Sequence, residues 1–235
     1  MIPAMRIPIT KYGMPQAVIC PVLILVFMLA VLAAGVRYFP THVTVVIELL
    51  SSIVLIWAIS FFRDPKRIPP DDKSLLLAPA DGKITAIDII EKDKFIDSPA
   101  IRISIFLSIF NTHINRAPAK VTVENIQYKK GKYKNALNPE SAKVNESNTI
   151  WMTRTDEPKD KLIVRQISGA IARRIVCRAK NGQKLNTGEK FGMIKFGSRT
   201  DLYLPINDYA KCTVKVGDKV KAGLTPLVRY EICPE

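Results

Sequence analysis

The sequence predicts a mainly β protein: a β-rich, sandwich- or barrel-like cytoplasmic domain with hybrid-barrel-like elements, preceded by an N-terminal hairpin of two transmembrane helices. Three observations predict it. Two apolar runs of spanning length, residues 17–36 and 43–62, lie close together near the N-terminus. Beyond residue 73, short β-type runs alternate with turn signals at near-regular spacing. The same stretch has no long amphipathic helical pattern, and residues 136–147 carry the best weak case.

Each apolar run is about 30 Å long as a helix, enough for the hydrocarbon core. The first is interrupted only by Pro21, and the second contains Thr44, Glu48 and the Ser51-Ser52 pair. A secretory signal competes as a reading, because Arg6 and Lys11 precede the first run. Its apolar region is too long for that, and a second run follows within six residues. Residues 37–42 leave room only for a tight antiparallel connection. Arg6 and Lys11 precede the pair, Arg63, Lys66 and Arg67 follow it, and Arg37 stands alone between. The positive-inside rule therefore places both ends, and the domain after residue 62, in the cytoplasm at the cell membrane. Glu48 is an intramembrane carboxylate, a functional candidate by default; lying within two turns of the outer end, it reads as accommodated there.

Residues 63–73 begin Arg63-Asp64-Pro65-Lys66-Arg67-Ile68-Pro69-Pro70 and read as a linker. The expected division is thus a membrane hairpin at 1–62 and a domain at 63–235. Strand candidates are 83–90, 100–109, 121–128, 149–153, 161–167, 171–179, 190–196, 201–204, 210–216 and 226–232. Basic residues are spread over Lys129, Lys130, Lys132, Lys134, Arg173, Arg174, Arg178 and Lys180.

The formal charge of +14 and a pI of about 9.7 call for an acidic partner. The hairpin favours an anionic membrane surface. Nucleic acid is disfavoured, since no reading motif is present and aromatics are not clustered with the basic runs. Cys20, Cys177, Cys212 and Cys233 form no C-x-x-C pair, and the chain has two histidines. That argues against zinc and against a disulfide framework, and no metal is expected. Residues 79–84 and 216–223 echo turns of biotinyl- and lipoyl-type carrier modules. No lysine marks a hairpin tip, Lys195 lying in an apolar strand pattern. The echo keeps open a non-catalytic, carrier-like β module on a membrane hairpin as the alternative function.

Four segments carry chemistry: Ala78-Pro79-Ala80-Asp81-Gly82-Lys83, Phe110-Asn111-Thr112-His113-Ile114-Asn115-Arg116-Ala117-Pro118, Ile171-Ala172-Arg173-Arg174-Ile175 and Phe196-Gly197-Ser198-Arg199-Thr200-Asp201. Backbone cleavage at a serine needs a hydroxyl able to reach the preceding carbonyl across a flexible or strained peptide. Gly197 supplies the flexibility and Ser198 the hydroxyl. His113 is the one histidine outside the hairpin, and imidazole titrates near neutrality. By themselves Gly197-Ser198 and Asp81-Gly82 read as turns.

Together the four segments closely resemble the short class of phosphatidylserine decarboxylases, whose archaeal members act on archaetidylserine, over about residues 61–235. The resemblance implies self-cleavage between Gly197 and Ser198 into chains 1–197 and 198–235, which remain associated, with Ser198 becoming a covalent pyruvoyl group. It implies a Schiff base between that group and the substrate amine, loss of CO2 and release of the ethanolamine lipid, with no metal and no dissociable cofactor. It makes His113 the proton donor and acceptor, and Asp81 the residue that orients or activates the maturation base. It also admits a homodimer. Longer members carry a second histidine where this chain has Arg116. Either His113 then serves both steps or Asp81 acts more directly. Arg116 and Arg199 are candidate contacts for the substrate carboxylate or phosphate, as are Arg173 and Arg174. The diacyl and archaeal ether lipids share the reacting headgroup, so both stay open as substrates. Asn145-Glu146-Ser147 fits a glycosylation sequon that a cytoplasmic domain would not present.

Overall fold

The computed structural model describes residues 8–91, 95–138, 140–170, 174–195 and 197–231. The chain divides into two compact units, Met1–Pro65 and Lys66–Glu235. In the first, a short 3-10 turn at Lys11–Gly13 leads into helix α1, Gln16–Tyr38, and then α2, Thr41–Phe61. Phe39-Pro40 ends α1 and starts α2, because the residue before a proline leaves the helical region. The helices approach closely at Gly35, where a Cβ would lie 2.5 Å from Thr44 Oγ1. Their outer faces expose Leu23, Phe27, Leu29, Ile53 and Ile56. Both helices are long and apolar enough to cross a membrane. Backbone bonds from Thr10 N to Phe62 O (2.9 Å) and from Asp64 N to Pro8 O (2.6 Å) close the base of the hairpin.

The second unit is mainly β. In its first half are β1 Leu75–Leu77, β2 Gly82–Ile90, β3 Ala100–Leu107, β4 Ile114–Arg116 and β5 Val121–Lys129. After the one-turn helix α3, Ser141–Val144, come β6 Ser147–Arg154, β7 Lys161–Ser168, β8 Arg174–Cys177 and β9 Lys184–Leu185. The last are β10 Lys190–Lys195, β11 Ser198–Pro205, β12 Ala210–Cys212, β13 Lys219–Val220 and β14 Pro226–Tyr230. An eight-stranded sheet runs β13-β2-β3-β11-β7-β6-β5-β9, and two three-stranded sheets run β1-β14-β12 and β4-β10-β8. β11 is interior to the large sheet, paired antiparallel with β3 from Ser198↔Leu107 to Pro205↔Ala100 and with β7 from Ser198↔Ser168 to Tyr203↔Ile163.

Strand alternation sorts the side chains of β11. Leu202 and Leu204 enter the main core with Ile84, Ile103, Ile105, Leu107, Ile150 and Val164. Tyr203 joins a smaller cluster with Ile163 and Ala100 on the other face. Ser198 and Thr200 share the core face, and Arg199 and Asp201 the opposite one.

All ten expected strand regions contain strand, although the described part of 171–179 begins only at Arg174. The helical expectation at 136–147 is corrected to α3 alone. Asn135 and Asn138 side chains accept from Leu137 N and Glu140 N, turn bonds that compete with a helix. The linker reading of 63–73 is also corrected. Arg67 reaches Asp81, and Asp72 Oδ2 accepts from Arg229 Nη1 of β14 (3.3 Å), so residues 66–73 are bonded into the β unit.

Candidate active site

Gly197 lies between β10 and β11 and has φ +54, a conformation glycine adopts without the penalty of a Cβ. Its carbonyl rests against Gly169, where an added Cβ would lie 2.1 Å from Gly197 O. Ser198 begins β11, is fully buried, and its Oγ has no hydrogen-bond partner among the described residues. Phe196 lies outside the described residues.

His113 follows a loop after β3 in which Asn111 Oδ1 accepts from Ser108 N (2.9 Å) and Oγ (2.7 Å). The ring Nδ1 lies 2.9 Å from the carbonyl of Asn111, and the ring is fully buried. A carbonyl only accepts, so Nδ1 carries the proton and Nε2 is the basic nitrogen of the neutral ring. His113 O accepts from Ile194 N (3.1 Å), and Ile114 pairs with Met193, which fixes this segment to the strand entering the Gly197 turn. Next along, Asn115 donates to Thr200 Oγ1 (3.0 Å) and to Pro79 O (3.4 Å), and accepts from Gln166 (2.8 Å). The histidine strand is thereby tied to β11 two residues beyond Ser198.

Asp81 precedes β2. Arg67 donates to it through Nη1 (2.5 Å to Oδ1) and Nη2 (2.7 Å to Oδ2), and Ala222 N donates to Oδ1 (2.7 Å). The carboxylate therefore clamps residues 67 and 222 to the turn whose Pro79 O accepts from Arg116 N (3.0 Å). Arg116 is buried and donates to Gly188 O (3.1 Å). Arg199 is on the opposite face of the sheet from Ser198, with Nη2 donating to Asp201 Oδ2 (2.9 Å) and Nε 2.9 Å from Oδ1. Nearby on that face Arg165 donates to Ser147 Oγ (3.2 Å), beside a cavity of about 360 Å³ lined by Trp151, Ile163, Arg165 and Tyr203. Burial, then the charge of Asp201, pushes the Tyr203 phenol up. Arg174 is exposed in β8, and Arg173 lies outside the described residues.

Four residues bonded or paired with these candidates, directly or through one another, were not singled out for the site in the sequence: Arg67, Glu146, Ser168 and Gly169. Glu146 is buried just ahead of β6, its Oε1 accepting from Tyr128 Oη (3.0 Å) and Ile175 N (3.4 Å). Desolvation, then the hydrogen bond and charge of Glu146, raises the Tyr128 phenol above its ordinary value. The only sequence signals were an acid at a strand start and a glycine at a strand end.

A family model described as phosphatidylserine decarboxylase matches residues 54–227. Among curated proteins, the chain is 44% identical over 183 residues to a phosphatidylserine decarboxylase proenzyme of Desulfotalea psychrophila, covering 77% of this chain and 84% of that one. It is 41% identical over 178 residues to the proenzyme of Nitrosomonas europaea, covering 76% and 80%. The match to the proenzyme of Rhodopirellula baltica is longer, 39% identical over 225 residues, covering 96% and 89%.

Proposed function

The chain belongs to the phosphatidylserine decarboxylase family and is a decarboxylase, and on that premise we propose that it is a self-processing, pyruvoyl-dependent enzyme anchored in the membrane by residues 17–62. This sets aside the carrier-module alternative. The observation that carries the reading is the pairing of Gly197, at positive φ, with a buried Ser198 hydroxyl that has no partner among the described residues. Buried hydroxyls ordinarily find partners. One left next to a flexible glycyl carbonyl is suited to attack it.

Ser198 Oγ attacks the Gly197 carbonyl carbon, and the amide becomes an ester. Loss of the Ser198 Cα proton and cleavage of its Cβ–O bond release the Gly197 carboxylate and leave dehydroalanine. Water then replaces the nitrogen, which departs as ammonia, and a ketone remains at position 198. That pyruvoyl ketone supplies a carbonyl to hold the substrate amine and to accept the electrons left when CO2 departs.

The other residues serve that centre. His113, its Nδ1 proton held on Asn111 O, offers Nε2 to move a proton to and from the substrate. Asp81 orients: its bonds to Arg67 and Ala222 hold the turn against which Asn115 and Arg116 are set. Arg116 is the proposed contact for the substrate anion, in preference to Arg199, whose guanidinium is taken by Asp201 across the sheet. The substrate is phosphatidylserine or its archaeal ether counterpart, and the β domain faces the cytoplasm by the positive-inside distribution of Arg6, Lys11, Arg63, Lys66 and Arg67.

The test is to purify the full chain in detergent, resolve it by electrophoresis, and measure CO2 and ethanolamine lipid from both lipids. Activity from a preparation of intact 235-residue chain alone would refute the reading.

A further inference from the structure

We infer that Glu146, acting through Ser168, is the proton relay that activates Ser198 for self-cleavage, an inference that rests on the self-processing reading above. Ser198 pairs directly with Ser168 across β11 and β7. Ser147 pairs with Ile167, and Ser168 N donates to Glu146 O (2.9 Å), so the same register sets Glu146 opposite Ser168. Directly opposed residues project to one face with Cβ atoms about 4.5–5.5 Å apart. Glu146, Ser168 and Ser198 therefore form one row across three adjacent chain segments.

Each of the three is buried, and each carries an oxygen with no hydrogen-bond partner among the described residues: Glu146 Oε2, Ser168 Oγ and Ser198 Oγ. Leaving such an atom unsatisfied costs roughly 1–3 kcal/mol. Three in one row, ending at the proposed nucleophile, call for a functional explanation. Glu146 is fixed from its other side by Tyr128 Oη and Ile175 N, which leaves Oε2 as the oxygen available to the row. Two alternatives are worse placed to take a proton, and the third, His113 Nε2, lies outside this row, on the strand paired with Met193 and Ile194. Asp81 already accepts three hydrogen bonds, and Arg116, as a guanidinium, only donates.

The three oxygens are not hydrogen-bonded to one another in this structure, and turning the Ser168 and Ser198 side chains about χ1 is the movement that would join them. Glu146 Oε2 takes the Ser168 hydroxyl proton while Ser168 Oγ takes that of Ser198. Ser198 Oγ bonds to the Gly197 carbonyl carbon, and the carbonyl π pair moves onto its oxygen. When that pair returns, the Gly197 C–N bond breaks. The proton travels back along the row to the departing nitrogen, leaving the ester, a free amine and Glu146 ionised as before. Glu146 touches no reacting atom in this scheme and is a positioning residue that works through Ser168.

The experiment is a pulse-chase of the full chain made by cell-free translation into lipid nanodiscs, following conversion of the intact chain to its two fragments. Glu146→Gln keeps the size and both known hydrogen bonds; it should melt near the wild type and be cut about 10²-fold more slowly. Ser168→Ala should be slowed comparably, Glu146→Asp should recover part of the rate, and the double variant should be no slower than the slower single one. Cutting of either Glu146→Gln or Ser168→Ala at the wild-type rate overturns the relay, as do effects that multiply in the double variant. If Glu146→Gln melts early, Ser168→Ala, which removes one hydroxyl, decides alone. An active wild-type chain that is never cut defeats the self-processing reading itself; a cut wild type with equally cut variants defeats only the relay.

Discussion

Arg67 grips Asp81 with both terminal nitrogens, at 2.5 Å and 2.7 Å, and the two side chains keep only 7% and 11% of their surface exposed. A buried pair of this kind adds little over an apolar one, but losing one partner strands a charge. Arg67→Ala should therefore lower stability by roughly 3–5 kcal/mol and slow maturation, since the clamped turn also sets Asn115 and Arg116. Pairing it with Asp81→Asn should recover part of the loss. Melting curves and the cleaved fraction of each variant check this.

The same contact dictates where the chain can be shortened. A variant lacking residues 1–62 keeps Arg67 and should mature, acting on detergent-dispersed lipid but poorly on vesicles. Removal of residues 1–67 takes Arg67 and should leave the precursor largely uncut. Electrophoresis of both truncations, with activity on the two lipid forms, is the measurement; equal maturation would show the clamp to be dispensable.

Ser198→Ala deletes the hydroxyl that is first the nucleophile and then, as the ester oxygen, the group eliminated from Cβ on the way to the ketone. Neither cleavage nor decarboxylation should survive. In the wild type the fragment beginning at position 198 should have 38 residues and resist Edman degradation, because a ketone replaces its amine. Mass spectrometry of the fragment reads the same change directly.

Gly169→Ala places a methyl where the Gly197 carbonyl oxygen now sits, 2.1 Å from the ideal Cβ. The carbonyl must shift, and misplacing a reacting group by about 1 Å costs on the order of 10²-fold. Accumulation of intact precursor with retained β-sheet circular dichroism is expected.

His113→Ala should reduce turnover per pyruvoyl group by roughly 10²–10⁴-fold in whatever molecules mature. Titrating the ketone chemically and dividing activity by that number isolates the effect. Normal activity per pyruvoyl would remove His113 from the proton transfer.

The β strands were legible because alternating apolar residues and turn signals are local properties. The missing ones, β1, β4, β9 and β13, are two or three residues long and exist through their neighbours: β4, for instance, is defined by pairing with β10. At the candidate site, Ser198, His113 and Asp81 were singled out through short motifs and the family those motifs resemble. Arg67 was not, since a proline-rich charged stretch looks the same whether its arginine is solvated or buried against a carboxylate. Glu146 and Ser168 escaped for a further reason. Their relation to Ser198 is one of register across three segments, and no spacing within a single segment encodes it.

β11 lies inside the large sheet, bonded along β3 on one side and β7 on the other. A cut just ahead of Ser198 hands that strand to the short fragment, so the halves are interleaved and must peel apart along two ladders to separate. On the self-processing reading, maturation then works as a ratchet. The uncut chain can unfold and refold by itself, whereas the cut molecule, once melted, has to recapture its missing strand from solution. Its recovery should become second order in concentration, so a melted mature enzyme returns less readily the more dilute it is.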